Sequence, residues 1–109
     1  MNVRLEAHSI RVRISLEEAR QLASGERLFM SLALASSSPW RVELRPTASE
    51  TLRGRLTSAG LELEVPLSGV ARALTEHPSK RAGVYGAQAV DGAELQLAVE
   101  IDARSRPEG

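Results

Sequence analysis

Short stretches of strict apolar and polar alternation, broken by two helical stripes, organise this chain. Val3, Leu5 and Ala7 alternate with Asn2, Arg4 and Glu6, and Ile10, Val12 and Ile14 alternate with Arg11 and Arg13. A period of two belongs to strands with one face buried. His8-Ser9 is short enough to join them as a hairpin, without the Asn-Gly or Asp-Gly pair of the strongest turns. Ser15 precedes Glu18 by the spacing of a capping box. Leu16, Ala19, Leu22 and Ala23 then form an apolar stripe ending at Gly25, which predicts a helix from Leu16 to Ser24.

Arg27 to Ala35 is an apolar run with weak alternation, the mark of a central strand or one buried on both faces. After a Ser36-Ser37-Ser38-Pro39 loop, Trp40, Val42 and Leu44 alternate with Arg41, Glu43 and Arg45, and Pro46 is expected to stop that strand. Thr47 to Glu50 reads as a connector. The plan then recurs: Leu52 to Thr57, a turn at Ala59-Gly60, Leu61 to Val65, a helix from about Leu67 to His77, and a Gly-interrupted strand from Gly83 to Val90. Asp91-Gly92 is the best hairpin turn in the chain, and Leu95, Leu97, Val99 and Ile101 mark the last strand.

Ile10-Arg-Val-Arg-Ile14 before Ser15-Leu16 has its counterpart in Leu61-Glu-Leu-Glu-Val65 before Pro66-Leu67, with Arg4-Leu5 and Arg55-Leu56 in the same register. Internal similarity of this kind is a fold-level signal. The expectation is an α+β domain over residues 1–103, built as a pseudo-twofold repeat of a strand-strand-helix-strand-strand unit (residues 2–46 and 52–102), with a flexible tail at 104–109. Two short helices and a mostly antiparallel curved sheet or small barrel would limit exposed sheet edges.

Length and composition narrow the chemistry. At 109 residues the chain suffices for one modest core. A formal net charge of zero supplies no global attraction to nucleic acid or an anionic membrane. Without Cys there are no disulfides, thiol nucleophiles or cysteine-ligated zinc sites, and a cytoplasmic setting is the expectation. The N-terminus lacks the apolar core of a signal peptide, and no apolar run approaches the roughly 20 residues of a membrane helix.

Asn2-Val-Arg-Leu5, then Ser9-Ile-Arg-Val-Arg-Ile14-Ser15 with Glu18, resembles the start of a family of short uncharacterised bacterial proteins. Those begin Lys-Ile-Arg-Ile, then Ser-Ile-Arg-Leu-Arg-Leu and a Thr or Ser helix cap. Leu97-Ala-Val-Glu-Ile-Asp102 is similar to that family's closing strand, although Ala103 and Ser105 stand where the family has an aromatic residue and a nearby Cys. The resemblance implies the same domain plan and a bacterial origin, and it brings no activity with it.

The sharpest candidate site is basic. A hairpin closed at His8-Ser9 sets Glu6 opposite Arg11 and Arg4 opposite Arg13, and directly opposed like charges are unfavourable. The equivalent register pairs Arg55 with Glu64. Arg4 and Arg13 therefore need a carboxylate from an adjacent strand, such as Glu43 or Glu100, or else Arg4, Arg11 and Arg13 form a patch for an anion or a partner. Arg41, Arg45, Arg53 and Arg55 make a second basic stripe ending at Trp40, but Glu43 and Glu50 interrupt it, which argues against nucleic acid. His8 and His77 are too isolated for a metal site. Glu100 and Asp102 share a strand face, the geometry of an acid-base pair, yet no Gly-x-Ser-x-Gly elbow or phosphate-binding glycine loop accompanies them. Neither a cofactor nor a metal is expected, and catalytic residues are not assigned. The chain reads as a non-enzymatic binding or protein-interaction domain, with a partner protein or self-association. The alternative is a protein for a small anionic ligand, or an enzyme, with its site between the two halves. A deep pocket around Arg4, Arg13 and Glu100 would favour a ligand, and a flat apolar patch around Phe29 or Trp40 a protein interface.

Overall fold

A computed structural model describes residues 1–32, 40–79 and 82–104. The Ser36-Ser37-Ser38-Pro39 loop, the end of the apolar run and the tail beyond Arg104 lie outside the described residues. The elements in chain order are β1 (Asn2–Glu6), β2 (Ser9–Ile14), α1 (Leu16–Ala23), β3 (Leu28–Leu32), β4 (Trp40–Thr47), β5 (Arg53–Thr57), β6 (Gly60–Pro66), α2 (Leu67–Glu76), β7 (Gly83–Val90) and β8 (Ala93–Ile101).

The α+β class and the two helices are as expected, whereas the single curved sheet or small barrel is not. Two separate four-stranded sheets form, in the orders β1-β2-β8-β7 and β3-β4-β6-β5. Each joins one hairpin from the first half of the chain to one from the second. Hairpin partners pair antiparallel, but the central pairs β2·β8 and β4·β6 are parallel, so both sheets are mixed. The sheets and helices share one continuous core: Val12, Ile14, Val99 and Ile101 of one sheet, Val42, Leu44, Leu61 and Leu63 of the other, and Leu22 and Val70 of the helices belong to one buried cluster. The alternation in the sequence places these apolar side chains inward and the arginines and glutamates outward. Among the described residues no polar side chain is fully buried.

Local chemistry accounts for the helix ends. Ser15 Oγ accepts from the Glu18 amide at 3.0 Å while Glu18 Oε1 accepts from the Ser15 amide at 2.9 Å, closing the capping box before α1. The second helix starts at Pro66, which offers no side-chain cap. α1 and α2 pack on each other, α1 against β3 and β4 and α2 against β6 and β7.

Three strand expectations need correction. The Leu28–Leu32 strand is not central: it is the edge of its sheet, with Phe29 53% exposed. Proline does not end β4, which continues to Thr47. Since β3 pairs only as far as Leu44, one side of β4 at Pro46 has no partner strand to receive an N–H. Both early hairpins also close one residue sooner than expected, at Glu6↔Ser9 and Thr57↔Gly60, around Ala7-His8 and Ser58-Ala59. In the second, Thr57 Oγ1 accepts from the amides of Ala59 (3.2 Å) and Gly60 (3.1 Å), drawing the turn tight. Gly60 then passes so close to β4, at φ 151°, that a Cβ there would sit 1.8 Å from the Arg41 carbonyl oxygen.

Candidate functional site

The outer face of the first sheet collects the arginines. Its rows run Asn2, Arg13, Glu100, Gly83 and Arg4, Arg11, Ala98, Tyr85 across β1, β2, β8 and β7. The earlier closure of the first hairpin corrects the expected pairing: Arg4 lies opposite Arg11, Asn2 opposite Arg13, and Glu6 opposite Ser9. Because the shift is even, every side chain keeps its face. The like-charge clash survives with a different partner.

Glu100 is the carboxylate that answers it, and it goes to Arg11. Arg11 Nε and Nη2 each lie 3.2 Å from Glu100 Oε1, and the Tyr85 hydroxyl donates to Oε2 at 3.2 Å. Ala98, between Arg11 and Tyr85 in the ladder, is small enough for both side chains to lean over it towards Glu100. Partial burial raises the Tyr85 pKa, helped by the Glu100 charge and hydrogen bond and opposed by Arg11. Among the described residues Arg4 and Arg13 make no ion pair. Three guanidinium groups thus surround Glu100 at one end of the face, while Glu6 on β1 and Glu94 on β8 lie on the same face towards its other end. Asn2, Arg4, Arg11, Arg13 and Glu100 enclose a depression of only about 30 Å³.

The second sheet carries a similar number of charges and pairs more of them. Glu43 takes Arg27 (3.6 Å) and Arg45 (3.7 Å), and Glu62 takes Arg55 at 2.8 Å. The expected Arg55 and Glu64 pair gives way to Arg55 and Glu62, with Arg53 opposite Glu64. Arg41 instead covers the Phe29 ring, its guanidinium carbon 4.8 Å from the centroid. Of the basic stripe, Arg45 and Arg55 are engaged by glutamates and Arg41 by Phe29, while Arg53 lies opposite Glu64 with no ion pair among the described residues.

Where β5 meets β7, a groove of about 680 Å³ is lined by Arg45, Arg53, Glu64, Leu52 and Gln88 among others. Gln88 forms its latch: Oε1 accepts from the Gly54 amide and Nε2 donates to the Gly54 carbonyl, both at 3.0 Å. Opposite Leu95 in the ladder, Gln88 is a lone amide at an inward position of β7. That polar residue in an apolar register is the signal sequence reading passed over.

The remaining candidates separate. Glu100 serves Arg11 and Tyr85, while Asp102 Oδ1 accepts from the Arg104 amide, so the two carboxylates share no partner. His8 is exposed in the first turn and His77 caps the end of α2, far apart in the chain. Gly86 is a site of close approach, where a Cβ would lie 3.1 Å from the Leu52 carbonyl oxygen. No protein-family model, curated protein or solved structure matches the chain.

Proposed function

We propose that this domain is a non-enzymatic binding module that docks an acidic protein partner on the arginine face of its first sheet. The observation that carries the reading is the cluster of Arg4, Arg11 and Arg13 around Glu100, in which Arg4 and Arg13 have no ion pair among the described residues, on a surface too shallow to enclose a small ligand. Ligand pockets occupy about 300–1,000 Å³. A flat basic face instead suits another charged surface, with complementarity governing encounter and register. Holding Arg4 against Arg11 costs stability, and a partner's carboxylates would remove that cost. The finer symmetry belongs to the same proposal: the two strand-strand-helix-strand-strand units are related by a pseudo-twofold, and the charge pattern on one copy has diverged.

Fluorescence anisotropy with labelled polyglutamate at low ionic strength tests the reading. Binding should weaken as salt is added, and Arg13→Glu should reduce affinity about tenfold or more. Reversal of Arg72, on α2 and already paired with Glu76, serves as the control. Equal binding by wild type and Arg13→Glu would remove the arginine face from the function.

The groove between β5 and β7 favours a second reading, a small anionic ligand. Its volume falls in the pocket range, and Nε of Arg45, one of its lining residues, is buried without a hydrogen-bond partner among the described residues. Inorganic phosphate should then raise the melting temperature in a way that Arg53→Ala abolishes and Arg4→Glu does not. No shift with the wild-type protein would discard this site.

A further inference from the structure

Resting on the reading of the arginine face given above, we propose that the acidic partner binds as an extended segment that adds a fifth strand to the free edge of β1, antiparallel to it. The hydrogen-bond pattern of the hairpin identifies which backbone groups are available. In a two-residue hairpin the closing residues form a hydrogen-bonded pair, and hydrogen-bonded and non-hydrogen-bonded pairs alternate away from it. With closure at Glu6↔Ser9, the pairs of Arg4 and Asn2 are bonded to β2, and the N–H and C=O groups of Val3 and Leu5 point away from it. The second hairpin checks this count. Closure at Thr57↔Gly60 predicts that the backbone of Gly54 points outward, and Gln88 meets both its N–H and its C=O.

The edges differ in what covers them. On β5 the Gln88 carboxamide stands in for a neighbouring strand. Among the described residues nothing hydrogen-bonds the outward groups of Val3 and Leu5. Leu5 points to the apolar side of its sheet, beside Ile10, yet is 54% exposed. An uncovered edge with an exposed apolar side chain is a template for strand addition. Charge separates β1 from β3, the edge of the other sheet: Glu43 pairs with Arg27 and Arg45 and the Phe29 ring takes Arg41, whereas Arg4 has no counter-ion among the described residues.

Geometry then fixes the chemistry of the incoming segment. Residues opposite Leu5 and Val3 lie on the apolar side and should be branched aliphatics. Those opposite Arg4 and Asn2 lie on the outer face and should be acidic, within reach of Arg4, Arg11 and Arg13. The residue opposite Glu6 should not be acidic. An antiparallel segment reading Thr-Val-Glu-Val-Glu meets all three conditions.

The test titrates this capped pentapeptide into the ¹⁵N-labelled full chain and follows amide exchange by NMR. Two analogues accompany it, one N-methylated at both valines and one at both glutamates, identical in charge. Slowed exchange at Val3 and Leu5 is expected. Methylation of the valines, whose amides face β1, should weaken binding about tenfold or more, while methylation of the glutamates, whose amides face solvent, should change it little. If all three peptides bind equally and Arg4→Glu abolishes each, the arginine face stands and strand addition is overturned. If neither the pentapeptide nor polyglutamate binds, the arginine-face reading falls and takes this proposal with it.

Discussion

The hairpins β1–β2 and β5–β6 share one pairing register and differ in nearly everything that register presents. Leu5 faces Ile10 as Leu56 faces Leu61, but Arg4 faces Arg11 where Arg55 faces Glu62. One hairpin is stabilised across its outer face, with a 2.8 Å ion pair, a threonine-anchored turn and an edge latched by Gln88. The other has opposed guanidinium groups, a turn at Ala7-His8 and an edge that nothing covers among the described residues. Similar backbones can thus be satisfied internally or left to be satisfied by something else. The hairpin with unmet demands is where binding is sought.

The largest test of this contrast lies in the turns. Gly60 and Ser9 occupy matching closing positions, but only Gly60 combines a positive φ with an approach that leaves no space for a Cβ. Gly60→Ser should cost about 3 kcal/mol or more, whereas Ser9→Gly should cost under about 1 kcal/mol, measured by urea unfolding. Comparable costs at both positions would mean the turns are held alike.

The edge latch comes next. Gln88→Ala strips two hydrogen bonds from Gly54 and should destabilise by about 1–3 kcal/mol, with faster hydrogen exchange at the Gly54 amide. An unchanged exchange rate there would show that the β5 edge is as open as β1, and the asymmetry between the hairpins would vanish.

The smallest effect sits in the helices that follow the hairpins. Partial burial raises the Glu18 pKa, but the Ser15 amide and hydroxyl and the Met1 ammonium at 3.0 Å outweigh it, so the net shift is downward. A carboxylate with a folded pKa below its unfolded value adds stability that is present above the unfolded value and lost as pH falls through the folded one. The stability difference between wild type and Glu18→Gln should therefore be level above pH about 5 and shrink below pH about 4. Ser15→Ala should cost about 1 kcal/mol, while α2, which begins at Pro66 without a side-chain cap, has no equivalent contribution to lose. A pH-independent difference would show that the capping box does not hold Glu18 ionised.

Much of this architecture was legible because it is local. Alternation marked the strands, Ser15 and Glu18 the start of α1, and Asp91-Gly92, with φ of 48° and 79°, the turn between β7 and β8. Arg4, Arg11 and Arg13 were recognisable as a group because alternate residues share a face whatever the strand order. Their pairing was misread by one turn residue, since neither Ala7-His8 nor Ser58-Ala59 carries a distinctive turn signature. The apolar run from Arg27 to Ala35 reads as a central strand or one buried on both faces, because hydrophobicity reports burial and not position in a sheet.

The sequence by itself determined the elements, the faces of their side chains and the local excess of arginine near the N-terminus, because each follows from the chemistry of neighbouring residues. Tertiary structure alone decided that β2 lies parallel to β8 and β4 to β6, that Glu100 reaches Arg11 rather than Arg13, and that Gln88 covers the edge of β5 while no described residue covers that of β1. These are contacts between residues distant in the chain, chosen by how two sheets and two helices share one core, and no local pattern encodes that choice.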